Sequence, residues 1–248
     1  MKISVITVSY NAAATIEQTI QSVLGQSYKN VEYIVIDGAS SDNTLQIIEK
    51  YKSGIVHVVS EKDGGIYDAM NKGIALATGD IVGILNSDDL YHNENVLSFI
   101  ASQFENSSTD CVCTDVEIFS ETPSQVLRYY NCRRWKPWMF RIGHQPPHPG
   151  FFVRRKLYTE LGNFNTQYRL AADFDFLLRC ILKNNKVTQY INYVSVSMRS
   201  GGASQKSFKN IQRANREVHL SLKHNGYFSL PLFIWLKYPL KVFQFFLK

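Results

Sequence analysis

The sequence lacks the cysteine and glycine motifs of several large protein classes. Its four cysteines are Cys111, Cys113, Cys132 and Cys180. Their spacing matches neither paired Cys-x-x-Cys zinc motifs nor a disulfide framework, so we predict reduced thiols in a cytosolic protein. The chain also has no Gly-x-Gly-x-x-Gly motif and no Gly-x-x-x-x-Gly-Lys-[Ser/Thr] motif. A dinucleotide-binding Rossmann site and a P-loop are therefore not supported.

No apolar run of the chain is long enough to cross a membrane. A bilayer span needs about 20 apolar residues, and the uncharged run 225–236 is shorter than that. The first residues, MKISVITVSYN, alternate with Ser and Thr and lack a small-residue cleavage site. They predict a β-strand and not a signal peptide. Internal repeats and low-complexity linkers are absent as well.

The composition is that of an ordinary globular protein. The chain has 248 residues, of which 45% are hydrophobic and 19% are charged. This length suits one large domain or two closely packed halves. The net charge of +6 is compatible with nucleic acid, an anionic membrane surface or a phosphorylated substrate as a partner. Composition alone does not choose among these partners.

Strands and helices alternate through the first half of the chain. Short β-branched runs predict strands over 3–10, 31–37, 55–60 and 80–86. Apolar residues at helical spacing, such as Ile16 and Ile20, predict helices between them, with Gly79 ending the helix over 64–79. This alternation predicts a mostly parallel, doubly wound α/β sheet.

Polar residues follow three of these predicted strands. Tyr10 ends the first strand, Asp37 ends the second, and 86–89 (Asn-Ser-Asp-Asp) follow the fourth. Ligands of open parallel sheets bind beyond the carboxyl ends of the strands. Each group alone is explained equally well by a loop or a helix cap. Because all three fall at one edge of the predicted sheet, they favour a binding site there.

The second half is less regular. A strand is predicted over 111–119 and a helix over 171–184, whereas 120–150 show no periodicity. The basic, aromatic stretch 128–141 is suited to sugar rings, a membrane surface or nucleic-acid bases, and we rank nucleic acid last. His144 and His148 lie among prolines, where contact with an acceptor, metal ligation and a purely structural role all remain open.

Two acidic features carry the chemical hypotheses. Asp88 and Asp89 are adjacent, and two like charges about 4 Å apart cost about 4 kcal/mol at an effective dielectric near 20. In a cleft such a pair needs a cation, or one acid must hold its proton. Mg²⁺ or Mn²⁺ held together with a diphosphate suits the pair, although a solvated turn also explains it. Asp173 precedes an apolar helix. It is suited to capping that helix or to acting as a general base.

The C-terminal stretch has an unusual face pattern. Lys237, Lys241, Gln244 and Lys248 share one side of a helix, and aromatic residues fill much of the rest. This pattern predicts an amphipathic helical tail in a membrane interface, with packing on the protein's own core as the alternative. Pro231 and Pro239 prevent one long continuous helix.

Three segments, taken in order, carry a family resemblance. They are 4–44, which contains SVITVSYN; 65–89, which contains AMNKGI and LNSDD; and 171–179, AADFDFLLR. Together they strongly resemble the family 2 glycosyltransferases of the GT-A fold, closest to bacterial enzymes of O-antigen, capsule or exopolysaccharide synthesis. The resemblance implies an α/β, mostly parallel Rossmann-like sheet flanked by helices. The implied GT-A domain covers 1–205, with a nucleotide-sugar half (1–110) and an acceptor half (111–205), and 206–248 form a helical, membrane-associating segment.

The resemblance also assigns the donor side of the site. Tyr10 is expected to stack on the nucleotide base, Asp37 to hydrogen-bond it, and Asn71 to lie near the donor. The family's Asp-x-Asp motif falls on 86–89, where Asn86 replaces the first acid. Asp88 and Asp89 are therefore expected to hold Mn²⁺ or Mg²⁺, with Asp88 also contacting the nucleotide sugar.

On the acceptor side the resemblance makes Asp173 the catalytic base. Ala172 stands where the family often has Glu. The Gln-x-x-Arg-Trp motif of processive synthases is absent, which favours transfer of a single sugar. The implied reaction is an inverting, metal-dependent transfer of a hexosyl or N-acetylhexosaminyl group from a UDP-sugar to a polyprenyl-diphosphate-linked saccharide. It is expected on the cytoplasmic face of the bacterial plasma membrane, with no nucleic acid as partner.

Two other functions compete with this interpretation. A sugar nucleotidyltransferase is also an α/β protein with acids on a metal, but it needs a Gly-rich, basic phosphate loop that SYNAAAT does not provide. A catalytically silent sugar-nucleotide-binding subunit is compatible with Asn86 and Ala172.

Overall fold

The computed structural model describes residues 1–120, 122–201 and 207–237. Its first half contains four strands and three helices in alternation. The strands are β1 (Ile3–Ser9), β2 (Val31–Asp37), β3 (His57–Ser60) and β4 (Ile81–Ile84). The helices are α1 (Ile16–Leu24), α2 (Thr44–Lys50) and α3 (Ile66–Leu76).

The first four strands are parallel and lie in the order β3-β2-β1-β4. β1 is buried along its whole length, as its uninterrupted run of apolar and small polar residues predicts for a strand covered on both faces. In register, Ser9 lies beside Asp37, and Asp37 lies beside Ser60. The carboxyl ends of these strands therefore meet at one edge of the sheet.

The second half adds shorter helices and strands of both directions. Its elements are β5 (Leu90–Tyr91), α4 (Val96–Gln103), β6 (Cys111–Phe119), β7 (Val126–Tyr130), β8 (Phe151–Arg154), α5 (Lys156–Leu161), α6 (Ala172–Leu178), β9 (Thr188–Arg199), α7 (Phe208–His224) and α8 (Pro231–Trp235). The described residues form one sheet in the order β3-β2-β1-β4-β8-β6-β9-β5, with β7 paired to β6.

The direction of the strands changes at β8. β8 is antiparallel to both β4 and β6, whereas β6 and β9 are parallel. The predicted α/β class and the parallel first half are confirmed, and the complete sheet is mixed.

Two predictions about local structure were wrong or incomplete. α3 ends at Leu76 and not at Gly79, and the stretch without periodicity contains β7.

Gly79 is required for packing and not for ending a helix. A Cβ atom at this position would lie 2.7 Å from the backbone nitrogen of Ser4 and 2.9 Å from the carbonyl oxygen of Lys2. The close approach of this turn to β1 therefore excludes any side chain.

The hydrophobic core lies on both faces of the sheet. One cluster joins α3 and α6 to the sheet through residues such as Met70, Phe174 and Phe176, and the other joins α1 and α4 through Ile16, Ile20 and Ile100. All four cysteines are buried and free, in agreement with the prediction of reduced thiols.

The predicted amphipathic tail is described only in part. Lys241, Gln244 and Lys248 lie outside the described residues. Lys237, which was expected on the polar face, is buried. The chain around α8 packs against the protein, where Ile234 is fully buried. Among the described helices, none has the length and apolar character that crossing a membrane requires.

Candidate active site

The predicted strand-end residues meet at one edge of the sheet. β1 ends beside β2, and Ile6 of β1 lies in register with Ile84 of β4, two residues before Asn86. β8 runs antiparallel to β4, with Phe152 beside Gly83. The turn that precedes β8 therefore arrives at the same edge as the residues that follow β4.

Tyr10 lies at the surface of this edge, with 67% of its side chain exposed. A Cβ atom added to Gly38 would lie 3.3 Å from Cδ2 of Tyr10 and 2.5 Å from Oδ2 of Asp63. The aromatic ring and this carboxylate thus flank Gly38, and a side chain at this position would displace the Asp63 carboxylate. An exposed ring beside an acceptor group is suited to stacking and hydrogen bonding with a planar base.

The loops that carry Tyr10 and Gly38 are tied to each other. Oδ1 of Asn11 accepts a hydrogen bond of 2.9 Å from the backbone N–H of Ser41. The N–H of Asn11 in turn donates to Oγ of Ser40 over 2.8 Å. Asn11 has a φ of +50°, which Asn tolerates better than most side chains. These contacts fix the turn next to the Tyr10 ring.

Asp37 is fully buried, and its carboxylate accepts hydrogen bonds from its own loop and from the ends of β1 and β3. Oδ2 accepts from the N–H of Ser40 at 2.9 Å and from the hydroxyl of Ser60 at 2.8 Å. Oδ1 accepts from the hydroxyls of Ser9 and Ser40. The predicted contact between Asp37 and a base remains a prediction. The observed contacts show that Asp37 orders the strand end beneath Tyr10.

Asp63 is a candidate functional residue that the sequence reasoning missed. It follows β3 in the segment EKDGG, at the same edge as the other strand ends. Its Oδ1 accepts from the N–H of Gly65 over 2.8 Å, which holds the turn before α3. The strand-end rule, applied to β3 as well as to its neighbours, would have found it.

Asp88 and Asp89 differ in exposure. Asp88 is half-buried, whereas Asp89 is only 1% exposed. Oδ2 of Asp89 accepts from the amide of Asn86 at 3.1 Å, and its Oδ1 accepts from the backbone N–H of Arg199 at 3.2 Å. Burial and then the charge of Asp88 raise the pKa of Asp89 well above its usual value. Arg199, at the end of β9, was not foreseen from the sequence.

This pair fits a divalent cation by its chemistry. Two adjacent carboxylates, one of them buried, carry negative charge that burial destabilises, and a cation would offset that cost. In the part of the chain that the structure describes, no group of three or more His, Cys, Asp or Glu residues is suited to a metal. Mg²⁺ typically uses one or two carboxylates together with substrate phosphates, so two acids are enough. Of the two carboxylates, the more exposed Asp88 is the better placed to contact a cation.

Asp173 accepts hydrogen bonds from two other elements. It lies in the first turn of α6, whose cap residue is Ala171 and whose cap carries no side-chain hydrogen bond. Tyr67 donates to Oδ1 over 2.8 Å, and the amide of Gln145 donates to Oδ2 over 2.6 Å. Nδ1 of His148 lies 3.3 Å from Oδ2. These contacts do not support the helix-cap alternative.

The neighbours of Asp173 hold its carboxylate in one orientation. Its side chain is 13% exposed. Burial, and then the charge of Asp173, raise the pKa of Tyr67 well above its usual value, so Tyr67 stays a neutral donor. The sequence left the role of His148 open, and it did not predict a role for Gln145.

Asn71 and His144 have contacts of a structural kind. The amide of Asn71 donates to the carbonyl of Phe164 at 2.9 Å and accepts from its N–H at 3.0 Å. Asn71 thus fixes the loop at Phe164, and its place near the donor remains a prediction. The carbonyl of His144 accepts from Nε1 of Trp135 at 2.9 Å, and its buried ring packs edge-on against Tyr130.

Comparison with protein families matches the larger part of the chain to a family model. The model described as "Glycosyl transferase family 2" matches residues 4–162, which is more than half of the chain. A curated relative, a PGL/p-HBAD biosynthesis glycosyltransferase of Mycobacterium bovis, is 31% identical over 207 residues, or 80% of this chain and 77% of that protein.

Solved structures share the fold. S. aureus TarS 1–349, in complex with UDP-GlcNAc, has a TM-score of 0.71 at 19% identity, over 90% of this chain and 66% of that one. The mannosyltransferase PcManGT from Pyrobaculum calidifontis, in complex with GDP-Man and Mn²⁺, has a TM-score of 0.67 at 20% identity, over 90% and 63%. This chain thus spans less than two thirds of either one. The predicted GT-A fold is confirmed.

Proposed function

Since this chain belongs to glycosyltransferase family 2 and is a glycosyltransferase, we propose that it transfers one sugar, with inversion, from a UDP-sugar to a lipid-linked saccharide. The proposed catalytic domain covers 1–205, and 206–248 associate with the inner face of the bacterial plasma membrane. The observation that carries the proposal is the Asp173 carboxylate, oriented by Tyr67 and Gln145 at the edge of the sheet where Asp88 follows β4.

Asp173 is the proposed general base. One carboxylate oxygen takes the proton of the acceptor hydroxyl as that oxygen attacks the anomeric carbon. The bond from this carbon to the diphosphate oxygen breaks on the opposite face, so UDP leaves and the configuration inverts. The hydrogen bonds from Tyr67 and Gln145 fix the carboxylate for in-line approach. No covalent enzyme intermediate is needed.

The donor side divides into base and diphosphate contacts. Tyr10 stacks on the uracil ring, and Asp63 and the loop ordered by Asp37 lie beside it. Asp88 and Asp89 would hold Mn²⁺ or Mg²⁺, which supplies charge stabilisation for the UDP leaving group. The solved fold relative with Mn²⁺ is compatible with this role.

A lipid-linked acceptor and a membrane surface are supported by the exposed apolar side chains around α8. Phe228 and Leu232 are 69% and 71% exposed, and Trp138 from the basic, aromatic stretch is 55% exposed. The segment Pro137–Ile142 contacts α8. Aromatic and aliphatic side chains next to basic residues are suited to an anionic membrane interface.

The alternatives are less well supported. Family membership disfavours a sugar nucleotidyltransferase. The silent-subunit hypothesis rests on Asn86 and Ala172. Ala172 is fully buried, so its side chain does not contact a substrate, and Asp173 keeps its partners without a neighbouring Glu.

An assay of UDP release tests the proposal. With a panel of UDP-sugars, we expect release that requires Mn²⁺ or Mg²⁺ and is lost in EDTA. Asp173→Asn should lower kcat by about 10²–10⁴-fold, since general-base catalysis contributes that much. The UDP dissociation constant should not change. The matched control, Asp80→Asn, alters an exposed acid at the opposite edge of the sheet and should retain full activity. If Asp173→Asn releases UDP at the wild-type rate, Asp173 is not the base. If UDP release does not depend on Mn²⁺ or Mg²⁺, the reaction does not require a metal.

A further inference from the structure

A small cavity opens beside Asp173 in the candidate site. Its polar border is formed by Tyr67, Asn86, His148 and Asp173. Its walls are apolar, and they include Met70, Ile84, Phe151, Phe164, Phe176 and Leu177. In the proposed reaction the donor sugar lies between Asp88 and Asp173, so the cavity adjoins the position of the sugar ring.

The size of the cavity restricts what it can hold. Its volume is about 60 Å³, which is small beside the roughly 300–1,000 Å³ of pockets that enclose a whole small-molecule ligand. A pyranose ring does not fit into this space. A substituent of a few heavy atoms does, and the apolar walls favour one that ends in a methyl group over one that ends in a hydroxyl.

Asn86 adds one specific polar requirement. Its Nδ2 donates to Asp89, which fixes the orientation of the amide. Its Oδ1 is buried and has no hydrogen-bond partner among the described residues. A buried acceptor without a donor is costly, so a ligand that brings an N–H or O–H group to this atom gains affinity. The replacement of the family's acid by Asn thus creates a neutral acceptor on the border of an apolar cavity.

We propose that the cavity is a subsite for the acetamido group of a 2-acetamido-2-deoxy donor sugar. The N–H of the acetamido group donates to Oδ1 of Asn86, and the methyl group lies against Met70 and Phe176. A hexose, with a hydroxyl in place of the acetamido group, leaves the apolar walls uncovered. This inference rests on the proposed function and narrows its substrate class to N-acetylhexosaminyl donors.

The test compares matched donors by calorimetry on the wild-type chain with Mn²⁺. The pairs are UDP-GlcNAc with UDP-Glc, and UDP-GalNAc with UDP-Gal, and UDP alone is the reference. In at least one pair we expect the acetamido donor to bind tenfold or more tightly, because it adds buried methyl area and a hydrogen bond to an unpaired acceptor. Equal or reversed affinities in both pairs, with UDP still bound, would overturn the inference and leave the proposed function standing. Absence of UDP binding would overturn both.

A cavity-filling variant locates the subsite. In Met70→Phe, the acetamido donor and its hexose counterpart should bind with nearly equal dissociation constants. The affinity for UDP alone should stay within about twofold of the wild-type value. The control, Leu127→Phe, adds a ring at an exposed position of β7 and should keep the tenfold preference. A folded Met70→Phe protein that still prefers the acetamido donor tenfold would exclude this cavity. If Met70→Phe does not fold, the comparison of donors on the wild-type chain decides alone.

Discussion

Glu32 of β2 lies toward the edge of the sheet opposite the candidate site, and it is 2% exposed. Its carboxylate accepts from Nζ of Lys2 at 2.8 Å, from the hydroxyl of Ser4 at 2.5 Å, and from the N–H and hydroxyl of Thr78 at 2.7 and 2.6 Å. Burial alone would raise the pKa of Glu32. The hydrogen bonds from Lys2, Ser4 and Thr78 outweigh burial and hold the pKa at about 2.

This lowered pKa makes stability depend on pH. The folded protein holds the Glu32 charge better than the unfolded chain, whose pKa is 4.5. The stabilisation is therefore complete above about pH 4.5 and is lost as the pH falls through about 2. Glu32→Gln should lower the free energy of unfolding by about 2–3 kcal/mol at pH 7 and by much less near pH 2. Urea unfolding at several pH values measures this difference.

The control for Glu32 is an exposed carboxylate with one partner. Glu49 is 54% exposed and pairs with Lys52 at 3.1 Å. Glu49→Gln should change the free energy of unfolding by less than about 0.5 kcal/mol at any of these pH values. If Glu32→Gln lowers the free energy of unfolding by the same amount at pH 7 and at pH 2, the charge of Glu32 does not have the assigned role.

Among helices, α6 has two acids with different partners. Asp173 faces Tyr67 and Gln145, whereas Asp175 is buried against α7. Asp175 accepts from Nε of Arg179 at 2.9 Å, from the hydroxyl of Ser221 at 2.8 Å and from the amide of Asn225 at 3.0 Å. α6 therefore links the candidate base to the helix that leads to α8.

Neutralising Asp175 should weaken this link. Asp175→Asn leaves the guanidinium of Arg179, which is 13% exposed, without its charge partner. Breaking a buried pair in this way costs about 3–5 kcal/mol, and we expect about 3 because Arg179 keeps carbonyl partners at 161–163. Denaturant unfolding measures the loss. Lys186→Gln, which breaks the more exposed pair with Glu160, should cost less than about 1 kcal/mol. Equal effects of the two substitutions would refute the role of Asp175.

Elements with strong local patterns were predictable from the sequence. β2 and β6 have the predicted bounds, because β-branched runs between turn residues leave little ambiguity. β8, by contrast, is only four residues long, and it follows a stretch rich in Pro and aromatic residues. Its strand conformation depends on pairing with β4 and β6, which are distant in sequence. Local patterns carry no information on such pairing.

The same distinction holds for the site. Tyr10 and Asp88 follow strands that the sequence predicts, so their place at one edge was foreseeable. The contacts of Asp173 were not, because Gln145 is 28 residues away and Tyr67 is 106 residues away. Only the packing of α3 and the turn before β8 against α6 brings these residues together.

The molecule as a whole has exposed apolar side chains grouped near its C-terminal end. If this surface meets a membrane, the double substitution Phe228→Ser and Leu232→Ser should reduce sedimentation with anionic phospholipid vesicles at least fivefold, since it removes apolar area that the bilayer would bury. Removal of 227–248 should abolish co-sedimentation. The control, Val56→Ser and Leu127→Ser, changes side chains that are exposed elsewhere. Unchanged sedimentation of the first variant would refute membrane contact through this surface.

The antiparallel β8 has a consequence for how such enzymes diversify. Because it enters the sheet beside β4 in reverse, the chain before it delivers Gln145 and His148 to the site, while β1 to β4 deliver Tyr10, Asp63 and Asp88. The Asp173 carboxylate thus has partners from two distant stretches of the chain, because Tyr67 lies in α3. Recombination that exchanges the stretch between β6 and β8 would replace Gln145 and His148, which surround Asp173, while Tyr10, Asp63 and Asp88 stay in place.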